Sequence, residues 1–300
     1  MPSSVTIGRD CGGGIAAERI DGYRHPVPAG PSLDRDTAVT RVDEATFRAR
    51  IEPGWFVVRG PNGGYLAAII LRALEARVGD PARAARSLTI HFVSPSDAGE
   101  VLITTTIERE GRSLTSCSAR VTQDDRLVAL AVAACSAPRP GPSFCDLEPP
   151  EVPPPHALPR TAPMPEAPPI ASRWDTRWAI GRPPELGAPR ARHAVAGGWI
   201  RCEEPQLLDP PAIAAVTDAW LPAIFTRVEE SLFVPTIDLT VHFRSSLPHP
   251  GLRTDDFVLA VFRTTVTADG FMEEDGEVWA PDGTLLAQSR QLAATIPWTR

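Results

Sequence analysis

The sequence predicts an α+β protein in which one unit is written twice in tandem, each unit a long helix wrapped by a curved antiparallel sheet. Three observations lead there. The segment Leu88-Thr89-Ile90-His91-Phe92 returns 151 residues later as Leu239-Thr240-Val241-His242-Phe243, and both copies alternate apolar residues with Thr and His, the period of a strand with one buried face. Each copy follows a long apolar helix candidate, Gly63 to Val78 in the first half and Pro211 to Val228 in the second. Each is followed by further strand-like runs joined by turns such as Glu110-Gly111 and Asp124-Asp125, as in consecutive antiparallel strands. A repeat this long has the size of a domain and exceeds any solenoid period.

Along the chain, residues 1–36 mix Gly12-Gly13-Gly14, Pro and charge without periodicity and read as a mobile extension without assigned function. The first unit, 37–137, opens with a short strand near Ala38 to Val42, a helix or turn around Glu44 to Ala49 and a strand-like Trp55 to Val58. The segment Gly63 to Val78 is apolar on nearly every side, with Gly79 and Pro81 to stop it, so it must be enclosed. Strands at Ser87 to Phe92, Val101 to Arg109, Ser113 to Thr122 and Leu127 to Ala137 can enclose it. Residues 138–169 hold 13 of the 33 prolines, which forbids a helix or central strand and predicts an extended linker. The second unit, 170–300, repeats the plan. Its strands are expected at Trp174 to Ile180, His193 to Arg201, Thr236 to Phe243, Phe257 to Thr267, Met272 to Ala280 and Leu285 to Ile296, with a strong turn at Pro281-Asp282-Gly283.

Composition narrows the chemistry. With 300 residues, 43% of them hydrophobic, the chain can fill two cores. All thirty basic residues are Arg, which excludes a Walker-type phosphate loop, a Schiff-base lysine and a Ser-Lys dyad. A formal net charge of −7 argues against nucleic acid as a partner. The five cysteines, Cys11, Cys117, Cys135, Cys145 and Cys202, are odd in number and form no CxxC pair, so neither a disulfide framework nor a zinc site is expected. No apolar run reaches the ~18 residues of a membrane span, and the expected setting is the cytoplasm.

Several short motifs resemble the TesB-like (type II) acyl-CoA thioesterases, which are double hotdogs in a single chain. They are Pro61-Asn62-Gly63-Gly64-Tyr65-Leu66-Ala67-Ala68, Ser87-Leu88-Thr89-Ile90-His91-Phe92, Arg109-Glu110-Gly111-Arg112-Ser113, Thr217-Asp218-Ala219-Trp220, Pro235-Thr236-Ile237-Asp238 and Gln288-Ser289-Arg290-Gln291, in the family's order. The resemblance implies tandem hotdog domains and hydrolysis of acyl-CoA thioesters to free acid and coenzyme A, with no metal or redox cofactor. It places the water-holding catalytic residues at Asp218, Thr236 and Gln291. Tyr65 stands where better-known relatives have Gln, a departure that bears on the acyl group accepted. By analogy with such pairs of hotdogs, a homo-oligomer is expected.

Read for their own chemistry, these residues fit unevenly. Asp218, between Val216 and Trp220 within the expected second helix, would lie at an apolar surface where desolvation raises its pKa toward that of a general base. Pro222, four residues on, should bend that helix beside the carboxylate. Gln291 shares a strand face with the small residues Ala287, Ser289 and Ala293. Simple alternation groups Thr236 with Asp238, Thr240 and His242, so it reaches the site only if that face meets the other unit. Asn62 precedes a helix start where the bare amides of Gly63, Gly64 and Tyr65 can receive an oxyanion or bind substrate; a plain N-cap explains it equally well. Arg86, Arg109 and Arg112 are candidates for the coenzyme A phosphates. His91 and His242, at equivalent repeat positions, read as structural. No Gly-x-Ser-x-Gly elbow is present, and Cys117 and Cys135 read as small buried residues, leaving water as the nucleophile. The competing expectations are a non-catalytic acyl-CoA or acyl-chain binder of the same fold, and a hotdog hydratase.

Overall fold

The computed structural model describes residues 32–162, 167–183 and 191–298, all within one compact unit. Of the extension expected over 1–36, residues 1–31 lie outside the described residues; Ser32–Asp36 form a short helix, α1, whose Leu33 is buried. The first half continues with β1 (Thr40–Arg41), β2 (Thr46–Ile51), α2 (Gly63–Val78), β3 (Ala84–Phe92), β4 (Gly99–Glu110), β5 (Leu114–Gln123) and β6 (Arg126–Ser136). The second half holds β7 (Trp174–Ile180), β8 (Ala194–Cys202), α3 (Pro210–Val216), β9 (Leu232–Phe233), β10 (Thr236–Phe243), β11 (Val258–Thr264), β12 (Thr267–Ala268), β13 (Phe271–Trp279), β14 (Leu285–Ala294) and β15 (Ile296–Pro297).

A single antiparallel sheet runs through both halves in the order β1-β2-β4-β5-β6-β3-β10-β14-β13-β11-β8-β7, the second half reading as the first in reverse. The seam is the repeated strand itself. Thr89 pairs with Thr240, Ser87 with His242 and Asp238 with His91, so an approximate twofold passes between Thr89 and Thr240, whose hydroxyls lie 3.1 Å apart. The sheet closes on α2, which buries Gly64 through Ile70 without a break and is the spine of a core spanning both halves. Asn62 caps its start, its Oδ1 accepting from the Tyr65 amide at 3.0 Å, and Gly79 ends it in the left-handed region at φ 66°.

Three local expectations need correction. Thr46–Ile51 is a strand and not part of a helix or turn, because Phe47, Ala49 and Ile51 alternate inward. Trp55 to Val58 is not a strand: Pro53–Trp55 is a turn of 3₁₀ helix that buries Trp55, followed by an isolated bridge between Phe56 and Pro61. The second helix stops at Val216, twelve residues before the expected end. A residue preceding proline is held out of helical geometry, so Pro222 limits α3 to Trp220 at most; the helix ends earlier still, at Val216, and the chain restarts as a 3₁₀ turn at Ala223–Thr226. The proline-rich segment, over its described residues, is extended apart from 3₁₀ turns at Pro155–Ala157 and, at its end, Pro169–Ser172. It is also fastened to the second half: the Trp199 indole N–H donates to the Pro153 carbonyl at 2.8 Å and Arg177 donates to the carbonyls of Pro155 and Leu158. Among the described residues no helix is long and apolar enough to cross a membrane.

Candidate active site

The early end of α3 puts Asp218 in the turn after the helix, where it meets the start of α2. That approach depends on glycine. A Cβ on Gly64 would lie 2.6 Å from the Ala215 carbonyl oxygen and 3.0 Å from the Asp218 Cβ, and one on Gly63 would lie 2.9 Å from Asp218 Oδ2. With both side chains absent, the Gly64 amide donates to Asp218 Oδ2 at 3.0 Å and Asn62 Nδ2 donates to the same oxygen at 2.9 Å. Asn62 Nδ2 also lies 2.7 Å from the Asp218 carbonyl, so one side chain both caps α2 and fixes the turn.

Burial pushes the Asp218 carboxyl up, against the opposing effect of hydrogen bonds from Gly64, Gly63, Asn62 and Gln291; the balance is a pKa of about 6. The residue retains some exposed surface while its carboxylate is enclosed.

Gln291, on β14, is 5% exposed. Its Oε1 accepts from the Thr236 hydroxyl at 2.9 Å. Thr236 reaches it through a bulge: Thr236 pairs with Ala293 and Asp238 with Leu292, leaving Ile237 as the extra residue. The insertion shifts the alternation by one and turns Thr236 onto the buried face of Leu239, opposite which Gln291 stands. The expectation that Thr236 shares the face of Asp238 is thereby corrected.

The fourth polar member was not anticipated. Glu274, on β13, is the direct cross-strand neighbour of Gln291 and 4% exposed. Its Oε1 accepts from Gln291 Nε2 at 3.0 Å and its Oε2 from the Ala223 amide at 2.6 Å. Burial raises its carboxyl to about 7. A signal was available: in Met272-Glu273-Glu274-Asp275-Gly276-Glu277-Val278, period two places Glu274 with Met272, Gly276 and Val278, a carboxylate in the buried phase of the strand.

The structure thus links Thr236, Gln291 and Glu274 by hydrogen bonds and Asp218 to Asn62 and Gly64 by others, with Gln291 near enough to Asp218 to favour its ionised form. It treats the other candidates differently. The Gly64 amide, expected with that of Gly63 to receive an oxyanion, is directed at the Asp218 carboxylate instead. The Tyr65 side chain is not available to substrate. It is fully buried, stacks on Trp55 at 5.1 Å, donates to the Asp36 carbonyl at 2.7 Å and accepts from the Glu52 amide at 3.1 Å. Arg86 lies six residues along β3 from Phe92, whose ring abuts Gly63, which separates it from the site by roughly 20 Å. Its Nε donates to the Ser136 carbonyl at 3.2 Å. Arg109 and Arg112 are exposed where β4 turns into β5. None of these three arginines joins the network. His91 and His242 are exposed on the seam strands, and Cys117, Cys135 and Cys202 are buried free thiols. Two surface cavities lie elsewhere, one of about 340 Å³ lined by His193, Arg227 and Arg263 and one of about 440 Å³ lined by Asp34, Arg72, Glu75 and Asp209.

Comparison with known proteins agrees with this architecture. Residues 51–136 match the acyl-CoA thioesterase N-terminal domain and residues 148–295 the acyl-CoA thioesterase C-terminal domain. A hot dog fold protein of unknown function from Alicyclobacillus acidocaldarius is 27% identical, with a TM-score of 0.80, over 90% of this chain and 100% of that one. An acyl-CoA thioesterase II from Mycobacterium marinum, 22% identical over 89% of this chain and 99% of that one, has the same fold at a TM-score of 0.71. No curated protein matches the chain.

Proposed function

The chain belongs to the acyl-CoA thioesterase family, and on that premise we propose that it hydrolyses acyl-CoA thioesters with water activated at Asp218, Thr236 and Gln291. The observation that carries this reading is an enclosed carboxylate of raised pKa beside a carboxamide that is itself hydrogen-bonded to a hydroxyl. With a pKa of about 6, Asp218 is mostly ionised at neutral pH yet remains basic enough to take a proton from water. The Thr236 proton is committed to Gln291 Oε1, so the Thr236 oxygen keeps lone pairs for a water proton. Water gives one proton to Asp218 as its oxygen bonds to the thioester carbonyl carbon. The carbon–sulfur bond then breaks, and the departing thiolate of coenzyme A recovers that proton. The β3–β10 seam joins the two units within one chain, so every group in this scheme comes from a single copy.

The test is thiol release from a panel of acyl-CoA esters by the wild type, Asp218→Asn and Gln291→Ala. Loss of turnover on the order of 10² to 10⁴ in Asp218→Asn is expected for removal of a general base. Binding without release on every ester would favour the non-catalytic acyl-CoA binder, and full activity in both variants would reject this site.

A further inference from the structure

We propose that Glu274 is a positioning residue of this site: its buried carboxylate, held on β13 opposite Gln291, dictates which end of the Gln291 carboxamide faces Thr236 and which faces Asp218. The inference rests on the reading of Asp218 and Gln291 as the hydrolytic site.

A carboxamide has two ends of nearly equal size, one accepting and one donating, and only its neighbours distinguish them. Thr236 alone cannot do so, because a hydroxyl donates or accepts equally well. Asp218 accepts only, but it must be free to engage water. Glu274 supplies the missing constraint. Both its oxygens act as acceptors, Oε1 for Gln291 Nε2 at 3.0 Å and Oε2 for the Ala223 amide at 2.6 Å. With Glu274 ionised, Nε2 must face β13, Oε1 must face Thr236, and the second N–H of Nε2 remains for the Asp218 carboxylate, whose ionised form Gln291 favours. Reversal would set the amide oxygen against carboxylate oxygens. The Ala223 contact has a second consequence, since that amide opens the 3₁₀ turn following Asp218 and ties the Asp218 turn to β13.

The ionisable groups acting on Glu274 are Asp218, from the turn after α3, and Glu273, its neighbour on β13, both of which raise its carboxyl. Its protonation and that of Asp218 are therefore linked, since ionised Asp218 raises the Glu274 carboxyl. If catalysis needs Asp218 ionised as base and Glu274 ionised as orienter, log(kcat/KM) against pH in the wild type rises with slope two on its acid side and levels above about 7.

The experiment compares wild type, Glu274→Gln and Glu274→Asp in thiol release between pH 4.5 and 9, with circular dichroism to verify folding. Glu274→Gln keeps an acceptor for Ala223 but no longer distinguishes the ends of Gln291. It is expected to lose about 10- to 100-fold in kcat with KM little changed, as for a misoriented group, and to show an acid limb of slope one. Glu274→Asp, which restores a carboxylate, should recover slope two. Unchanged kcat and slope in a folded Glu274→Gln would overturn the proposal. Should that variant not fold, a wild-type limb of slope one does so by itself. Asp218→Asn separates the two levels: if it stays fully active the site reading fails, whereas if it is inactive and Glu274→Gln behaves as wild type, only the role of Glu274 falls.

Discussion

Asn62 offers a direct way to move the ionisation of Asp218 without touching Asp218. Its Nδ2 donates to Oδ2 at 2.9 Å and its Oδ1 caps α2 through the Tyr65 amide. Asn62→Ala removes both contacts; Asn62→Asp keeps an acceptor for the cap and replaces the donor with a second carboxylate. A hydrogen bond to a charged group contributes about 1.5 kcal/mol, close to one pKa unit. Removing it disfavours the ionised form, so the pKa rises. The Asp218 component of the two-proton acid limb, near 6, should therefore move to about 7 in Asn62→Ala. At pH 6 the ionised fraction then falls roughly fivefold, and at pH 7 only about twofold. In Asn62→Asp the like charge raises the inflection further, with the helix cap intact. The assay is thiol release across pH at subsaturating substrate, with denaturation to separate the cost of the lost cap, about 1 kcal/mol in Asn62→Ala alone. An inflection that stays in place in both variants would refute the assignment of that ionisation to Asp218.

Gly64→Ala should be damaging in two ways, since its Cβ would lie 2.6 Å from the Ala215 carbonyl: a loss of about 1–3 kcal/mol in urea denaturation from overpacking, and a fall in turnover because the Gly64 amide leaves Asp218. Tyr65→Phe should lower stability by about 1–3 kcal/mol, because the Asp36 carbonyl and the Glu52 amide lose their partner, while KM stays constant across acyl-CoA esters; a KM change confined to particular acyl groups would return Tyr65 to the substrate pocket. At the seam, Thr89→Val and Thr240→Val should each cost about 1 kcal/mol by leaving one hydroxyl without its partner, and the double variant should cost less than the sum; strict additivity in the double-mutant cycle would show that the 3.1 Å pair contributes nothing.

The fold was legible where a single period controlled a segment. The strand beginning Leu88-Thr89 and its copy beginning Leu239-Thr240 identified the duplication, and they turned out to be the two strands that join the halves. Reading failed where a second constraint interrupted the period. The apolar run from Pro211 continues past Val216 in composition, but Pro222 forbids helical geometry at Leu221 and rules out the expected helix to Val228; the helix in fact ends at Val216, leaving Asp218 in a turn. Thr236 was misassigned because a bulge is a count of residues on two strands, and neither strand alone records it. Gly63 and Gly64 were read as offering bare amides to an oxyanion or substrate, yet what approaches is Asp218, 154 residues away from Gly64 in sequence. Glu274 was readable by alternation and was hidden by its acidic neighbours Glu273 and Asp275.

The duplication also explains why, among the described residues, one such polar cluster is formed and not two. Register equates the halves residue by residue: Gln291 pairs with Leu239 as Ala133 pairs with Leu88, and Glu274 pairs with Gln291 as Cys117 pairs with Ala133. The bulge is repeated as well, between Ala85 and Ser87 in β3 as between Thr236 and Asp238 in β10. The counterparts of Thr236, Gln291 and Glu274 are therefore Ala85, Ala133 and Cys117, all buried and none able to orient water. Because the bulge occurs in the half without the polar network, it belongs to the scaffold, and the direction in which Thr236 points is set by the fold before any chemistry is added. Three substitutions on a geometry common to both halves separate a packed core from the proposed hydrolytic site, and the carboxylate that completes it enters through the glycine gap at the start of α2.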